Sequence, residues 1–346
     1  MGVSSRRLVV DLMSSSPHMR LPQSGAEQLR ARAPAGWEVV VIEATTLSTG
    51  EGTNTVSAET RSAVQTAEVY FGFGASAALI EAAPALKWVH SAAAGVTGSI
   101  TPALLRAGIV LTNSAAVYAE GIADTVLAGV LHFVRGLDYA VHQQAESRWD
   151  QTRFTQASTP LQELNQCRIL VIGAGGIGSA CAVRFAALGC TCVGIRRRPE
   201  LGVPAGFARV TSPDALQDEL VTADVVVLAA PLTTSSHALL NAHHLALLPP
   251  SAIVVNVARG GLVADDALLD ALDAGRLRGA VLDVFDTEPL PAESPYWRHP
   301  SVLVTPHVSG VSPKRWERAL DLFEDNWQRW GAGEPLRNVV NFDVGY

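Results

Sequence analysis

The chain has 346 residues, of which 48% are hydrophobic and 17% charged, with a formal net charge of −7. That length accommodates two domains with substantial cores, and the acidic balance offers no footing for nucleic acid or an anionic membrane. No apolar run approaches the roughly 20 residues needed to span a bilayer, and Asp11 interrupts Leu8-Val9-Val10, so neither a membrane segment nor a signal peptide is expected.

In chain order, Leu8 to Leu12 reads as a strand, Ser24 to Arg32 as a helix and Trp37 to Ile42 as a second strand. The Ser/Thr/Gly-rich stretch Thr45 to Ser57 predicts an exposed loop. Ala67 to Phe71 is strand-like and runs into Gly72-Phe73-Gly74, a turn expected to line a pocket. Leu86 to His90 leads to Ser91-Ala92-Ala93-Ala94-Gly95-Val96, a small-residue turn where backbone N–H groups are free to bind, and Gly108 to Thr112 closes this first α/β unit. One long helix is expected over Tyr118 to Trp149, longer than an ordinary globular helix and therefore broken or projecting into a subunit interface.

The stretch that organises the chain is Cys167-Arg168-Ile169-Leu170-Val171-Ile172-Gly173-Ala174-Gly175-Gly176-Ile177-Gly178. A buried strand runs into glycines at G-x-G-x-x-G spacing, and a helix to Gly189 and a strand, Thr191 to Ile195, follow. In that context Gly173 allows the tight turn, Gly175 admits a pyrophosphate to the backbone, and Gly178 lets helix pack on strand. The helix N-terminus presents free N–H groups to the phosphates, so the turn predicts a dinucleotide site.

Four further buried-strand runs follow, Asp224 to Ala229, Ala252 to Val257, Gly279 to Asp283 and Val302 to Thr305. Helices between the earlier ones argue for a parallel, doubly wound α/β sheet. Lys314 to Trp330 reads as an amphipathic helix. The four cysteines, Cys167, Cys181, Cys190 and Cys192, lack C-x-x-C spacing and are expected as buried free thiols of a cytoplasmic protein. His243-His244 has no partner at ligand spacing and reads as helix surface, so no metal site is expected.

Ligands of open α/β sheets bind beyond the carboxyl ends of the strands. Those ends deliver Arg259 in Ala258-Arg259-Gly260, Glu288 after Asp283, and His307 after Thr305-Pro306. Together they suit reduction of a 2-oxo acid by a nicotinamide. The arginine clamps the carboxylate and polarises the carbonyl, the histidine donates a proton, and the glutamate holds the imidazole and favours its protonated form.

The sequence resembles the D-isomer-specific 2-hydroxyacid dehydrogenases. The resemblance rests on Val171 to Gly178, Ala230-Pro231-Leu232-Thr233, Asn256 to Gly260, Leu282 to Phe285 with Thr287 to Leu290, and Thr305-Pro306-His307, spanning Trp88 to Val340. It implies two Rossmann-like domains with parallel doubly wound sheets, the nucleotide domain (113–308) inserted into a substrate domain (1–112 with 309–346). It also implies Arg259, Glu288 and His307 as catalytic residues and the Gly95 and Val96 amides on the substrate carboxylate. The cofactor contacts expected are Gly173, Gly175, Gly176, Ile177, Gly178, Arg196, Arg197, Ala230, Pro231, Val257, Ala258 and Asp283. A homodimer formed through the long helix is implied as well. Val130 to Arg135 and Trp149 are similar to the glyoxylate/hydroxypyruvate reductase branch. Tyr118 and Asp124 stand where the family more often has Asn and Glu, and Arg196 where it more often has Asp.

Arg196-Arg197-Arg198 ends the second strand of the nucleotide fold, where an NAD-preferring fold places a carboxylate on the ribose. Guanidinium groups there favour a 2′-phosphate, so NADP(H) is expected ahead of NAD. The expected substrate is a small 2-oxo acid or D-2-hydroxy acid such as glyoxylate or hydroxypyruvate. Phe71, Phe73, Phe154 and Trp297 are nominated as pocket walls. A dinucleotide-sensing, corepressor-like protein is the alternative on this fold, but a sensor has no need of Arg259, Glu288 and His307 together. Formate dehydrogenase-like chemistry is disfavoured by glutamate rather than glutamine at 288, and a methyltransferase by the Arg/Glu/His set.

Overall fold

The computed structural model describes residues 6–47, 52, 54–157 and 159–342. The chain forms two compact units, residues 1–118 with 312–346 and residues 119–311. Each is a parallel sheet covered by helices, as the alternation of buried strands and amphipathic helices requires.

In the first unit the strands are β1 (Arg6–Asp11), β2 (Trp37–Val41), β3 (Val69–Gly72), β4 (Trp88–Ser91) and β5 (Val110–Asn113), in the order β2-β1-β3-β4-β5. Alternate residues feed opposite faces. Val9, Tyr70, Val89 and Leu111 pack with Val64, Leu79, Ile80 and Leu104. Leu8, Val10, Phe71 and Trp88 pack with Leu29 and with Leu320, Phe323 and Trp327 of the C-terminal helix Arg315–Ala332. Phe71 stacks on Phe323 with ring centroids 4.2 Å apart.

Three expectations are corrected here. Phe71 and Phe73 are fully buried in that core and are not pocket walls. Gly72-Phe73-Gly74 is a close backbone crossing, because a Cβ on Gly74 would lie 1.6 Å from the Gly52 carbonyl oxygen. The exposed loop expected over Thr45 to Ser57 is buried at Thr46 and Asn54. The Asp11 carboxylate, itself 0% exposed, accepts hydrogen bonds from the hydroxyls of Thr46, Thr60 (3.0 Å) and Tyr70 (2.9 Å). Burial raises the Asp11 pKa above the usual aspartate range, against the lowering by those hydroxyls. Residues 48–51 and 53 of that stretch lie outside the described residues.

In the second unit the described residues form β6 (Arg168–Ile172), β7 (Thr191–Ile195), β8 (Arg209–Thr211), β9 (Val225–Leu228), β10 (Ile253–Asn256), β11 (Gly279–Leu282) and β12 (Val302–Val304). Their order is β12-β11-β10-β9-β6-β7-β8, so strand order reverses between β6 and β9. That switch point opens a crevice at the carboxyl ends. The edge strand β8, three residues long and polar, carries no apolar run and went unrecognised in the sequence.

The expected long helix is two helices, Ala119–Val134 and Leu137–Ala145, broken at Gly136, which adopts φ +69°. A Cβ on Gly129 would meet Val281 at 2.7 Å, so a small residue here lets the first helix lie close on β11. Asp124 and Glu120 pair with Arg184 at 2.7 and 2.8 Å, tying this helix to Gly176–Ala187. Phe154 packs beside Gly136 and Tyr139, and Trp297 is bound through Nε1 to the Pro291 carbonyl. All four cysteines are buried free thiols, and burial pushes those of Cys167, Cys181 and Cys192 up to about 12.

Candidate active site

The glycine turn follows β6 at the switch point. Gly173 has φ +108°, and a Cβ there would lie 2.5 Å from the Ala229 carbonyl oxygen, so only glycine fits against the turn leaving β9. A Cβ on Gly178 would lie 2.0 Å from the Gly173 carbonyl, whereas one on Gly175 would meet nothing within 4 Å. The open side of the turn is therefore at Gly175, the N-cap of helix Gly176–Ala187. The first-turn N–H groups of that helix have no intrahelical acceptor, which makes the turn an anion cradle.

Arg196 follows β7. Its Nη2 donates to the Gly202 carbonyl at 2.7 Å, and its buried Nε has no acceptor among the described residues. A guanidinium nitrogen without a partner at the end of the second strand fits a group that brings an oxyanion there. Arg197 and Arg198 beside it are exposed.

Beyond β10, the Asn256 side chain shapes the turn that presents Arg259. Its Nδ2 donates to the Arg259 carbonyl at 2.8 Å, and its Oδ1 accepts from the Ala258 N–H at 3.2 Å. Arg259 is half-buried, with Nη1 on the Ala258 carbonyl at 2.6 Å. A Cβ on Gly260 would lie 2.0 Å from the Phe285 carbonyl carbon, so this glycine lets the Arg259 turn pack on the segment leading to Glu288.

Glu288 and His307 meet directly. Glu288 Oε1 accepts from the Phe285 N–H at 2.9 Å, and Oε2 lies 2.7 Å from His307 Nδ1. An ionised carboxylate only accepts, so Nδ1 carries the proton and Nε2 is the nitrogen left for chemistry. His307 itself has φ +53°, a left-handed conformation that a non-glycine residue adopts at a cost. Asp283 holds it there. The His307 N–H donates to the Asp283 carbonyl at 2.9 Å, and the Asp283 carboxylate accepts from Thr305 Oγ1 (2.6 Å), Val308 N–H (2.9 Å), Ser309 N–H and the Ser309 hydroxyl. Asp283, expected among the cofactor contacts, is 1% exposed and spends its carboxylate on this turn.

Gly95 and Val96 belong to the other unit, on the loop leaving β4. The Ala92 N–H donates to the Gly72 carbonyl at 2.7 Å, and the carbonyls of Ala92, Ala93 and Ala94 accept from the Tyr118 hydroxyl (2.7 Å), the Ser114 N–H (3.1 Å) and Asn113 Nδ2 (2.9 Å). Among the described residues the N–H groups of Gly95 and Val96 have no acceptor.

The NAD binding domain of the D-isomer specific 2-hydroxyacid dehydrogenases matches residues 127–309, the span that carries the glycine turn, Arg259, Glu288 and His307. The chain belongs to that family. It is an NAD(P)-dependent oxidoreductase acting on D-2-hydroxy acids and their 2-oxo counterparts. A glyoxylate/hydroxypyruvate reductase A of Escherichia fergusonii is 35% identical over 231 residues, covering 66% of this chain and 69% of that protein. A dehydrogenase of this family from Xanthobacter autotrophicus Py2, solved with NADPH and MES, is 29% identical with a TM-score of 0.79, covering 99% of this chain and 100% of that one. An NADPH-dependent glyoxylate/hydroxypyruvate reductase from Sinorhizobium meliloti, solved with NADP and sulfate, is 26% identical with a TM-score of 0.75 over 99% and 100%. In this dehydrogenase the supporting roles of Asn256, Gly260 and Asp283 were not readable from the sequence, although each lies within four residues of a strand end. A polar residue at the end of a buried strand is the signal that marks such a role.

Proposed function

We propose that this dehydrogenase reduces a small 2-oxo acid, glyoxylate or hydroxypyruvate, with NADPH. The observation that carries the reading is the Glu288–His307 pair, a carboxylate-oriented imidazole at 2.7 Å with Nε2 left for proton transfer. Bound nicotinamide supplies the hydride. Arg259 binds the substrate carboxylate and polarises the carbonyl, His307 delivers a proton from Nε2 to the developing alkoxide, and Glu288 stabilises the imidazolium that makes this possible. The N–H groups of Gly95 and Val96, without an acceptor among the described residues, bind the substrate carboxylate.

Gly173, Gly175, Gly176, Ile177 and Gly178 form the cradle for the pyrophosphate, with Ala230, Pro231, Val257 and Ala258 on the rest of the cofactor's path. Arg196 and Arg197 bind the 2′-phosphate, a choice supported by Arg196 Nε, which has no acceptor among the described residues, and by the NADP-bound structures of the two similar enzymes. The inserted nucleotide domain spans 113–308, and the enzyme works as a cytoplasmic homodimer. Exposed Leu137, Val141 and Trp149, the last 91% exposed, support association through this part of the second unit. Among the described residues no helix is long and apolar enough to cross a membrane.

Initial rates with glyoxylate, hydroxypyruvate, pyruvate and a bulky aromatic 2-oxo acid, each with NADH and NADPH, test the proposal. Highest kcat/KM for glyoxylate or hydroxypyruvate with NADPH is expected. A preference for the aromatic acid overturns the substrate assignment, and a preference for NADH overturns the cofactor assignment.

A further inference from the structure

The C-terminal helix opens with Arg315, which is 3% exposed. A buried guanidinium ordinarily sits against a carboxylate, because an unpaired buried charge is costly. Arg315 has no such partner among the described residues. Its Nε donates to the Tyr118 hydroxyl at 3.1 Å, its Nη1 to the His18 carbonyl at 2.9 Å, and its Nη2 is buried without an acceptor. The guanidinium carbon lies 5.4 Å from the Tyr118 ring centroid and 4.3 Å from that of Trp316, contacts that offset part of the desolvation.

Tyr118 relays this arrangement to the loop leaving β4. With its oxygen accepting from Arg315, its O–H donates to the Ala92 carbonyl at 2.7 Å. A hydroxyl that accepts from a cation is a stronger donor, since each bond polarises the next. The Ala93 and Ala94 carbonyls are tied from Ser114 and Asn113, but only the Ala92 tether leads back to a charge.

We propose that Tyr118, backed by Arg315, is a positioning residue for substrate binding. It fixes the carbonyl edge of the Ala92–Val96 loop so that the Gly95 and Val96 N–H groups are set to receive a carboxylate. The Arg315 charge, which meets no carboxylate among the described residues, adds positive potential one hydrogen-bonded residue from the loop. This rests on the reading that the loop receives the substrate carboxylate.

Tyr118→Phe keeps the ring and its contact with Arg315 but removes the O–H. It is expected to raise KM for glyoxylate by about tenfold, the scale of one charge-assisted hydrogen bond, with kcat within about twofold and the KM for NADPH unchanged. Arg315→Lys keeps the charge and loses the fork, and is expected to move KM the same way. The double variant is expected to be no worse than the worse single, since the two residues act in series. In 15N-labelled wild type with NADP, oxamate is expected to shift the Gly95 and Val96 amide resonances. Shifts at both amides with a wild-type KM in Tyr118→Phe overturn the positioning role and leave the loop reading intact. Oxamate binding without those shifts removes both. A lowered Tm with KM unchanged makes Tyr118 a packing residue only and also overturns the proposal.

Discussion

Replacing Asp283 by asparagine tests whether the left-handed His307 turn is held by a buried carboxylate. Oδ1 accepts from Thr305 Oγ1 at 2.6 Å and from the N–H groups of Val308 at 2.9 Å and Ser309 at 3.2 Å, while Oδ2 accepts from the Ser309 N–H at 3.1 Å and its hydroxyl. The amide keeps one oxygen, turns an NH2 group toward the Ser309 N–H, and removes the charge from every remaining bond. Bonds to a charged group contribute about 1.5–3 kcal/mol each, so losing one and weakening the others costs on the order of 3 kcal/mol. At roughly 2–4 °C per kcal/mol for a unit of this size, Tm falls by about 6–12 °C. A misplacement of the imidazole by about 1 Å costs about a hundredfold in kcat. Thermal melts and steady-state kinetics with glyoxylate and NADPH read both quantities on one preparation. Wild-type values of kcat and Tm refute the reasoning. A loss of kcat at an unchanged Tm refutes it too, because Asp283 then acts on the reactants rather than on the turn.

Three other outcomes follow from the same geometry. Arg259→Lys keeps the charge but loses the fork and is expected to lose about a hundredfold in kcat/KM with NADPH affinity unchanged; wild-type turnover removes Arg259 from the mechanism. Arg196→Asp is expected to raise KM for NADPH about tenfold to a hundredfold more than KM for NADH, and an unaltered cofactor ratio ends the phosphate-binding role. His90 is fully buried beside Thr112, at 2.7 Å, and burial lowers its pKa from 6.5 to about 3. Between those values the unfolded chain binds a proton that the folded chain refuses, so stability is fully present above 6.5 and is lost as pH falls toward 3. The loss between pH 7 and pH 5 is about 2 kcal/mol, to be read as urea midpoints followed by fluorescence of the buried Trp88. His90→Gln is expected to remove that increment, and an identical pH slope in wild type and variant rules it out.

The glycine turn was legible because its requirements are local. Gly173 must adopt a positive φ, Gly178 must let its helix close on the turn, and both demands are met within six residues of sequence. The buried strands were legible for a similar reason, since runs such as Val225–Leu228 and Ile253–Asn256 have no soluble alternative to the middle of a sheet. The strand ends then announced Arg259, Glu288 and His307, because a polar residue after a buried strand emerges at the sheet's carboxyl edge.

What the sequence could not announce are partners chosen by packing. Thr46, Thr60 and Tyr70 converge on Asp11 from 35, 49 and 59 positions away, which buries Thr46 within an otherwise polar Ser/Thr-rich loop. Phe71 and Phe73 look the same in sequence whether they face a pocket or a helix, and the C-terminal helix more than 240 residues later decided it. The break at Gly136 depends on a left-handed φ that many helical glycines never adopt. Arg315 and Tyr118 meet across 197 positions. Local preference by itself therefore determined the strands, the glycine turn and the side chains that emerge at the strands' carboxyl ends. Only the tertiary structure decided which buried polar groups hold them in place, because a hydrogen-bond donor has many possible acceptors along a chain and the folded core leaves it one.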